Sequence, residues 1–239
     1  MPDTSSIFGK SNQKEDGEHW LTVSDLMAGL MIVFLFIAIA FMRHVSIERD
    51  KIKDVAVAYQ QNQVAIFDAL NIEFEKDLSK WEASIDKETL SFQFDSPEVL
   101  FDSGDSNLKP EFEGILADFI PRYLNVLDQY RASIDEVRIE GHTSSEWGNG
   151  GTHPDDAYFF NMTLSQNRTR SVLNYSYFLS NLSGEQKIWI KSSFAAVGLA
   201  SSRLRLNDDG TENKQQSRRV SFRVITNADI QIRKIIEGL

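Results

Sequence analysis

A single carboxylate stands inside the most apolar stretch of this chain of 239 residues. Residues 20–42 carry one ionisable side chain, Asp25, and residues 26–42 carry no charge. A helix of this length crosses the hydrocarbon core of a bilayer, where a carboxylate facing lipid costs on the order of 1–3 kcal/mol. Such a group faces a partner helix or a wet pathway and there exchanges protons or cations. The alternative is that Asp25 caps a helix that begins at Leu26, a role that Ser24 fills equally well.

The overall composition is that of a globular chain without an evident nucleic-acid-binding surface. Apolar residues make up 41% and charged residues 25%, and 25 Lys and Arg against 35 Asp and Glu give a formal net charge of -10. No nucleic-acid partner is therefore expected. The absence of cysteine removes disulfides, thiolate zinc sites and cysteine nucleophiles. The four histidines lack a metal-binding spacing, so we expect neither an enzyme active site nor a cofactor.

The apolar stretch begins with a string that carries a family resemblance. Residues 20–31, WLTVSDLMAGLM, resemble the start of the B subunit of the flagellar stator, the MotB family. In that family the aspartate of this string carries the translocated ion, so the resemblance assigns a proton or a sodium ion to Asp25. It also implies a multi-spanning A-type (MotA-like) subunit as partner. Ala28 and Gly29 thin one face of the helix, which suits close approach by another helix.

The residues after the apolar stretch predict a helical linker over 43–87. Apolar residues in this segment, among them Ile66, Leu70 and Phe74, recur mostly at intervals of three or four. Two interpretations stay open. The linker is a spacer or weak coiled coil, or part of it folds back as a plug over an ion pathway, as similar segments do in stators.

Residues 88–226 predict one α+β domain, with a mixed four-stranded sheet and helices packed on it. The predicted strands lie at residues 90–94, 137–141, 194–198 and 219–224. The predicted helices lie at residues 109–127 and 165–182, and residues 227–239 include a short closing helix. Pro110, near the first turn, marks the start of the first of these helices.

Five strings in this domain, taken in order, resemble the OmpA-like peptidoglycan-binding domain. They lie at residues 99–104, 139–143, 161–168, 197–198 and 218–220. In that family an arginine of the Leu-Ser-x-x-Arg string and an aspartate after Gly-His-Thr hold the diaminopimelate of the stem peptide. The resemblance assigns the arginine role to Arg168 and places Ser144 at the aspartate position. The further binding residues that it implies are Asn161, Thr143, Asp102, Phe101, Leu164, Ser165 and Arg219.

Ser144 departs from the family pattern, because a hydroxyl cannot supply the negative charge that meets the ammonium group of the ligand. Glu146, Asp155 or Asp156 are alternatives for that charge. Arg168 keeps the planar fork that suits a carboxylate. Residues 144–160 contain several glycines and a proline, and we expect them to form a long loop. For Arg219, a structural role that holds the last strand is as well supported as a binding role.

Two signals disagree about the orientation in the membrane. Lys and Arg residues just after the span outnumber those before it, which favours a cytoplasmic C-terminal side. A peptidoglycan-binding domain requires a periplasmic one. We follow the domain and expect a cytoplasmic tail at residues 1–19, an inner-membrane span at residues 20–42 and a periplasmic C-terminal domain.

Nearly the whole chain resembles the B-subunit family of the Zorya anti-phage defence system. The resemblance rests on the acidic tail, the DLMAGLM string at residues 25–31 and the Gly-His-Thr-Ser-Ser string at residues 141–145. It implies a dimer of this chain within five copies of the A-type subunit (ZorA), with cytoplasmic effectors reached only indirectly. A flagellar-type stator subunit and a passive peptidoglycan anchor are the alternatives. A passive anchor has no need of Asp25.

Overall fold

The computed structural model of the chain describes residues 13–95, 97–148 and 151–227. The closing helix predicted near the C-terminus lies outside these residues, and so does most of the predicted cytoplasmic tail. The chain divides into two units, the first ending at Lys53 and the second beginning at Asp54.

The first unit consists of the N-terminal part of α1, the helix Gln13–Leu78. The apolar side chains between residues 26 and 42 are exposed on all sides of this helix. Within the described part of the chain, α1 is the one helix long and apolar enough to cross a membrane, by length and composition. An apolar surface on every side of a helix suits a lipid surrounding, which fits the span predicted at residues 20–42.

The second unit is an α+β domain, as the sequence predicts. Its strands are β1 (Ala83–Asp86), β2 (Ser91–Phe94), β3 (Ile134–His142), β4 (Phe194–Ala200) and β5 (Arg219–Thr226). Besides the C-terminal part of α1, its helices are α2 (Pro97–Leu100), α3 (Pro110–Asp128), α4 (Pro154–Phe178), α5 (Gly184–Ser193) and α6 (Lys214–Ser217).

The five strands form one mixed sheet in the order β1-β2-β5-β3-β4. Strands β3 and β4 are parallel, and the other three pairs are antiparallel. All four predicted strands are present, but the sheet has a fifth, β1, which lies inside the predicted linker. β1 has four residues and pairs with β2 alone, with Ala83 opposite Phe94. Its strand conformation therefore comes from that pairing rather than from a local pattern.

One face of the sheet builds the core, because side chains alternate between the two faces along each strand. Phe92, Ile139 and Phe222 point to this face from the three central strands and are fully buried. Against them lies α3, whose apolar residues form one buried face around Phe119. Pro110 occupies the first turn of α3. Amide groups in the first turn have no partner within the helix, so the missing N–H of proline costs no hydrogen bond there.

The second half of α1 is part of this core, which changes the extent of the predicted linker. Ile66, Leu70 and Phe74 are fully buried and belong to the same hydrophobic cluster as the sheet. The ring of Phe74 meets that of Phe92 edge-on, with 5.2 Å between the ring centroids. The helical spacing at residues 66–74 therefore marks the face that covers the sheet, and α1 ends at Leu78 rather than near residue 87.

The longer helices α4 and α5 also differ from the sequence prediction. The helix predicted at residues 165–182 begins earlier, at Pro154, so the second half of the predicted loop is helical. Proline in the first turn, followed by acidic residues, is a start signal for a helix. α5 is absent from the predicted helices. Its own signal is the capping box that Ser183 and Gln186 form at its N-terminus.

Candidate functional site

A cavity of about 500 Å³ lies where β3 ends, between the N-terminal half of α4, the Phe101 segment and α6. Its walls include six of the residues predicted for ligand binding: Phe101, Thr143, Ser144, Asn161, Leu164 and Arg168. These side chains come from segments far apart in the sequence. We call this cavity the Arg168 pocket.

Arg168 binds the loop that follows Phe101 as well as facing the pocket. Its Nε donates to the carbonyl oxygen of Asp105 at 2.8 Å, and its Nη2 donates to that of Asp102 at 3.0 Å. Its Nη1 makes no hydrogen bond within the described residues. The end of the guanidinium formed by Nη1 and Nη2 is thus the edge that is open to a ligand carboxylate.

The charged guanidinium of Arg168 is partly shielded from water. Burial lowers the pKa of its guanidinium to about 10, and nearby Arg218 adds to this lowering, while Asp105 opposes it. The group therefore stays charged at neutral pH. A half-buried cation with an open edge favours a ligand that brings a negative charge.

Asn161 shapes the wall of the pocket through the backbone. Its Nδ2 donates to the carbonyl oxygens of Ser144 at 3.1 Å and of Glu146 at 3.0 Å. The amide N–H of Ser145 in turn donates to a carboxylate oxygen of Glu212 at 3.0 Å. These bonds hold the segment after β3 against α4, so Asn161 positions the pocket wall and is itself buried.

Of the predicted alternatives to Ser144 as a source of negative charge, Glu146 lies in the lining of the pocket. Both residues line the Arg168 pocket, and the carboxylate of Glu146 forms an ion pair with Lys214 from α6. Both partners of the pair are about half exposed, so a competing ammonium group can reach the carboxylate from solvent. Asp155 and Asp156, the other predicted sources of charge, lie in the first turn of α4 and outside the lining of the pocket.

Close packing at two glycines sets the position of α4. Gly141 and Gly198 lie opposite each other on the parallel strands β3 and β4. A Cβ atom on Gly198 would lie 2.5 Å from the amide nitrogen of Gln166, and one on Gly141 would lie 2.8 Å from the carbonyl oxygen of Ser165. Because neither contact is sterically allowed, glycine at both places lets α4 lie directly on the sheet and brings Arg168 to the pocket.

Three predicted binding residues lie outside the lining of the pocket. Ser165 is fully buried, and its Oγ donates to the carbonyl oxygen of Met162 and accepts from the amide of Ala200. The carboxylate of Asp102 lies 3.4 Å from Lys109, and only its carbonyl oxygen serves Arg168. Arg219 points to the opposite face of the sheet from Val220.

A comparison with one curated protein decides the family. The chain is 57% identical over 233 residues to the Zorya protein ZorB of Escherichia coli (strain Crooks), covering 97% of this chain and 98% of that protein. It belongs to the ZorB family. A second ZorB protein, from another Escherichia coli strain, is 22% identical over 229 residues, covering 92% of this chain and 86% of that protein.

Other comparisons add less to the ZorB assignment. No protein-family model matches the chain. Among solved structures, a MotB-like protein from Desulfovibrio vulgaris matches with 19% identity and a TM-score of 0.46, covering 74% of this chain and 94% of that one. The cell wall anchor of the type VI secretion system from Pseudomonas aeruginosa matches with 18% identity and a TM-score of 0.45, covering 66% and 96%. The assignment therefore rests on the 57% identical relative.

In this ZorB-family chain, Asp25 lies on α1 with an exposed side chain. Gly29 follows four residues later and therefore lies one turn further along the same face of the helix. A Cβ atom on Gly29 would meet nothing within 4 Å. The carboxylate and the small residue thus share a face that a partner helix can approach closely.

The lining of the Arg168 pocket also includes residues that are not among the predicted site residues, and three of these carry large or charged side chains besides Glu146: Trp147, Lys214 and Arg218. Arg218 donates from Nε to the carbonyl oxygen of Lys214 at 3.1 Å, so these two cations are held together. Arg218 carries a sequence signal, since it directly precedes β5. Lys214 and Trp147 lie in α6 and in a glycine-flanked segment, where no periodic pattern marks a side chain as facing a cavity.

Proposed function

We propose that this chain is the B subunit of an ion-driven inner-membrane motor of the stator type that is anchored to peptidoglycan and acts in Zorya anti-phage defence. The observation that carries the proposal is the 57% identity to a Zorya protein ZorB along 97% of the chain. The translocated ion is a proton in this proposal, with sodium as the alternative.

The Arg168 pocket supports the anchoring part of the proposal. It combines an open guanidinium edge of Arg168 with the carboxylate of Glu146 across one cavity. A stem-peptide residue with both a carboxylate and an ammonium group, such as diaminopimelate, matches this pair of charges. In this proposal the ammonium group competes with Lys214 for Glu146.

Asp25 supports the ion-driven part. It is the one ionisable residue of the apolar stretch, and it shares a helix face with Gly29. Embedded carboxylates of this kind bind and release ions on a pathway between helices. The proposed partner is a multi-spanning A-type subunit (ZorA), with five copies around a dimer of this chain. The N-terminus then lies in the cytoplasm and the α+β domain in the periplasm.

The test is the full-length Asp25→Asn variant, co-expressed with its A-type subunit. We expect proton flux into vesicles under an imposed potential to be abolished, because an amide takes up no proton at neutral pH. Phage protection should be lost with it, while co-purification with the A-type subunit is unchanged. The matched control is Asp50→Asn, an exposed carboxylate on the same helix beyond the apolar stretch.

Full flux and protection in the Asp25→Asn variant would contradict the ion-carrier role and favour a passive peptidoglycan anchor. Loss of flux in the Asp50→Asn control as well would show that the assay responds to any charge change on α1, and would likewise remove the support for Asp25.

A further inference from the structure

The face of the sheet opposite the core carries a second, separate cavity. It has a volume of about 210 Å³, and we call it the arginine pocket. The residues that matter for its chemistry are Glu140, His142, Arg203, Arg205, Arg219 and Arg223. It shares no lining residue with the Arg168 pocket. Its volume is below that of a drug-sized site, so it suits a small molecule.

The arginine pocket is positively charged although the chain has a net charge of -10. Four arginines line it against two carboxylates, those of Glu140 and Asp86. Burial lowers the pKa of His142, and Arg219 lowers it further, while Glu140 opposes both, so the imidazole is neutral at neutral pH. The excess positive charge favours an anion.

Two of the four arginines are committed to holding the covering loop. Arg219 donates from Nη1 to the carbonyl oxygens of Ser217 at 3.2 Å and of Arg203 at 3.3 Å. Arg205 donates from Nη2 to the side-chain oxygen of Gln93 at 2.9 Å. These bonds tie residues 203–219 to the sheet, so both side chains have a structural role.

The other two arginines are not committed in this way. Arg203 and Arg223 each place Nη1 3.8 Å from a different oxygen of Glu140. A hydrogen-bonded arginine–carboxylate pair is about 1 Å shorter than this. Within the described residues neither guanidinium donates a hydrogen bond, so both retain their donors beside a buried carboxylate.

Two buried polar atoms of residues that line the pocket also lack partners. Within the described residues, Oε1 of Glu140 and Nδ1 of His142 have no hydrogen-bond partner, and their side chains are 4% and 2% exposed. An unpaired atom of this kind is unfavourable, because it has lost its hydrogen bond to water without gaining another. Because Nε2 of His142 faces Glu140 at 3.5 Å, the neutral ring presents Nδ1 as an acceptor, and both orphan atoms call for a donor.

We propose that the arginine pocket binds a small ligand that carries an oxyanion, a carboxylate or a phosphate, next to an N–H or O–H donor. The oxyanion lies between the guanidinium groups of Arg203 and Arg223. The donor is directed to Glu140 and His142. Arg203 is half exposed, so its side chain turns towards the oxyanion and uncovers the floor of the pocket. This inference does not depend on the proposed function.

The experiment is isothermal titration calorimetry of the full-length chain in detergent micelles, with three probes. Inorganic phosphate and D-alanine each combine an oxyanion with a donor, whereas acetate lacks the donor. We expect phosphate or D-alanine to bind, and acetate to bind at least about fivefold more weakly than D-alanine because the orphan atoms stay unpaired. Binding of phosphate alone identifies a phosphate source, and binding of D-alanine alone identifies a carboxylate source.

Variants locate the site. Arg203→Gln and Arg223→Gln should each weaken binding by about tenfold or more, because each removes one charged donor. The matched control is Arg138→Gln, on the same face of the sheet but paired with Glu136 at 2.8 Å and outside the pocket lining. Arg170→Ala, an exposed arginine outside the lining of both pockets, should also leave this binding unchanged.

Circular dichroism and thermal unfolding show whether each variant folds. If a glutamine variant does not fold, Arg203→Lys is measured instead, and we expect it to weaken binding severalfold. The proposal is overturned if neither phosphate nor D-alanine binds at millimolar concentration. It is also overturned if the folded Arg203 and Arg223 variants bind as tightly as the Arg138 control.

Discussion

The guanidinium of Arg168 lies over the ring of Phe101, with 4.7 Å between its Cζ atom and the ring centroid. A cation over an aromatic ring contributes about 0.5–1 kcal/mol at an exposed site and about 2 kcal/mol when desolvated. Together with the two carbonyl bonds to Asp102 and Asp105, this contact orders the rim of the pocket before any ligand arrives. Arg168 is therefore part of the wall and, in the proposed function, also the group that binds the ligand.

Removal of this side chain should weaken binding to peptidoglycan. We expect Arg168→Ala to lower the affinity for purified sacculi by about ten- to a hundredfold, because a charged hydrogen bond contributes about 1.5–3 kcal/mol. Arg168→Lys should recover only part, since an ammonium group lacks the fork. The measurement is a sacculus pull-down with the full-length chain in detergent.

The control for that pull-down is Arg170→Ala, an exposed arginine on the same helix outside the pocket. Binding by Arg168→Ala at the level of the control, with both proteins folded, would show that the pocket is not the wall-binding site.

Ser144→Asp should tighten binding to sacculi. The residue lines the pocket, and an aspartate there adds a second carboxylate beside Glu146 for the ammonium group of the ligand. Ser144→Asn is the matched control because it has nearly the same shape without the charge. In the same pull-down, a variant with aspartate that binds no better than the one with asparagine would contradict an ammonium subsite.

Gly198→Ala should destabilise the domain by about 1–3 kcal/mol, because the added methyl group collides with the backbone of α4. The control is Gly114→Ala in α3, where an added Cβ meets nothing within 4 Å and alanine favours the helix. Thermal unfolding followed by circular dichroism should show a lower midpoint for the first variant and an unchanged or higher one for the second. Equal midpoints would mean that α4 does not lie this close to β4.

Stability should fall as the pH drops from about 7.5 to 5.5. The pKa of His142 lies below its ordinary value of 6.5, because burial disfavours the charged ring. Below that value the unfolded chain takes up a proton that the folded chain resists, so stability is lost as the pH decreases. The pKa of Glu140 is lowered as well: burial raises it, but His142 and two arginines lower it by more. Protonation of Glu140 therefore reduces the stability only at more acidic pH.

Urea unfolding at pH 7.5, 6.5 and 5.5 tests this, with His142→Gln expected to show a flatter dependence than the parent chain. His153→Gln replaces an exposed histidine and serves as the control. If the free energy of unfolding depends on pH equally in the parent chain and in His142→Gln, the buried ring is not the cause of the pH dependence.

Topology is the last prediction. An alkaline phosphatase fused after Leu239 should be active, because the α+β domain lies in the periplasm in the proposed function. A fluorescent protein that folds only in the cytoplasm should be dark at the same place. The reverse pair of results would mean that the lysine and arginine count after the span decides the orientation, and it would remove the case for peptidoglycan binding.

The fold was largely predictable because most elements carry their own local pattern. Strands β2 to β5 alternate apolar and polar residues or form short apolar runs, and Pro110 marks the start of α3. β1 was not predictable, since its four residues are extended only through pairing with β2. The same reason applies to α1, where helical spacing predicts a helix but not that Ile66 and Phe74 cover the sheet.

Hydropathy and short motifs are local properties, so the apolar stretch around Asp25 and the strings that meet at Arg168 could be read before the fold was known. The tertiary structure decided which of those residues share a cavity. Glu146 and Lys214 reach the pocket from segments without a periodic pattern, and the alternation along β5 turns Arg219 to the opposite face. Long-range pairing and close packing at Gly141 and Gly198 set these positions, and neither is encoded in any single segment.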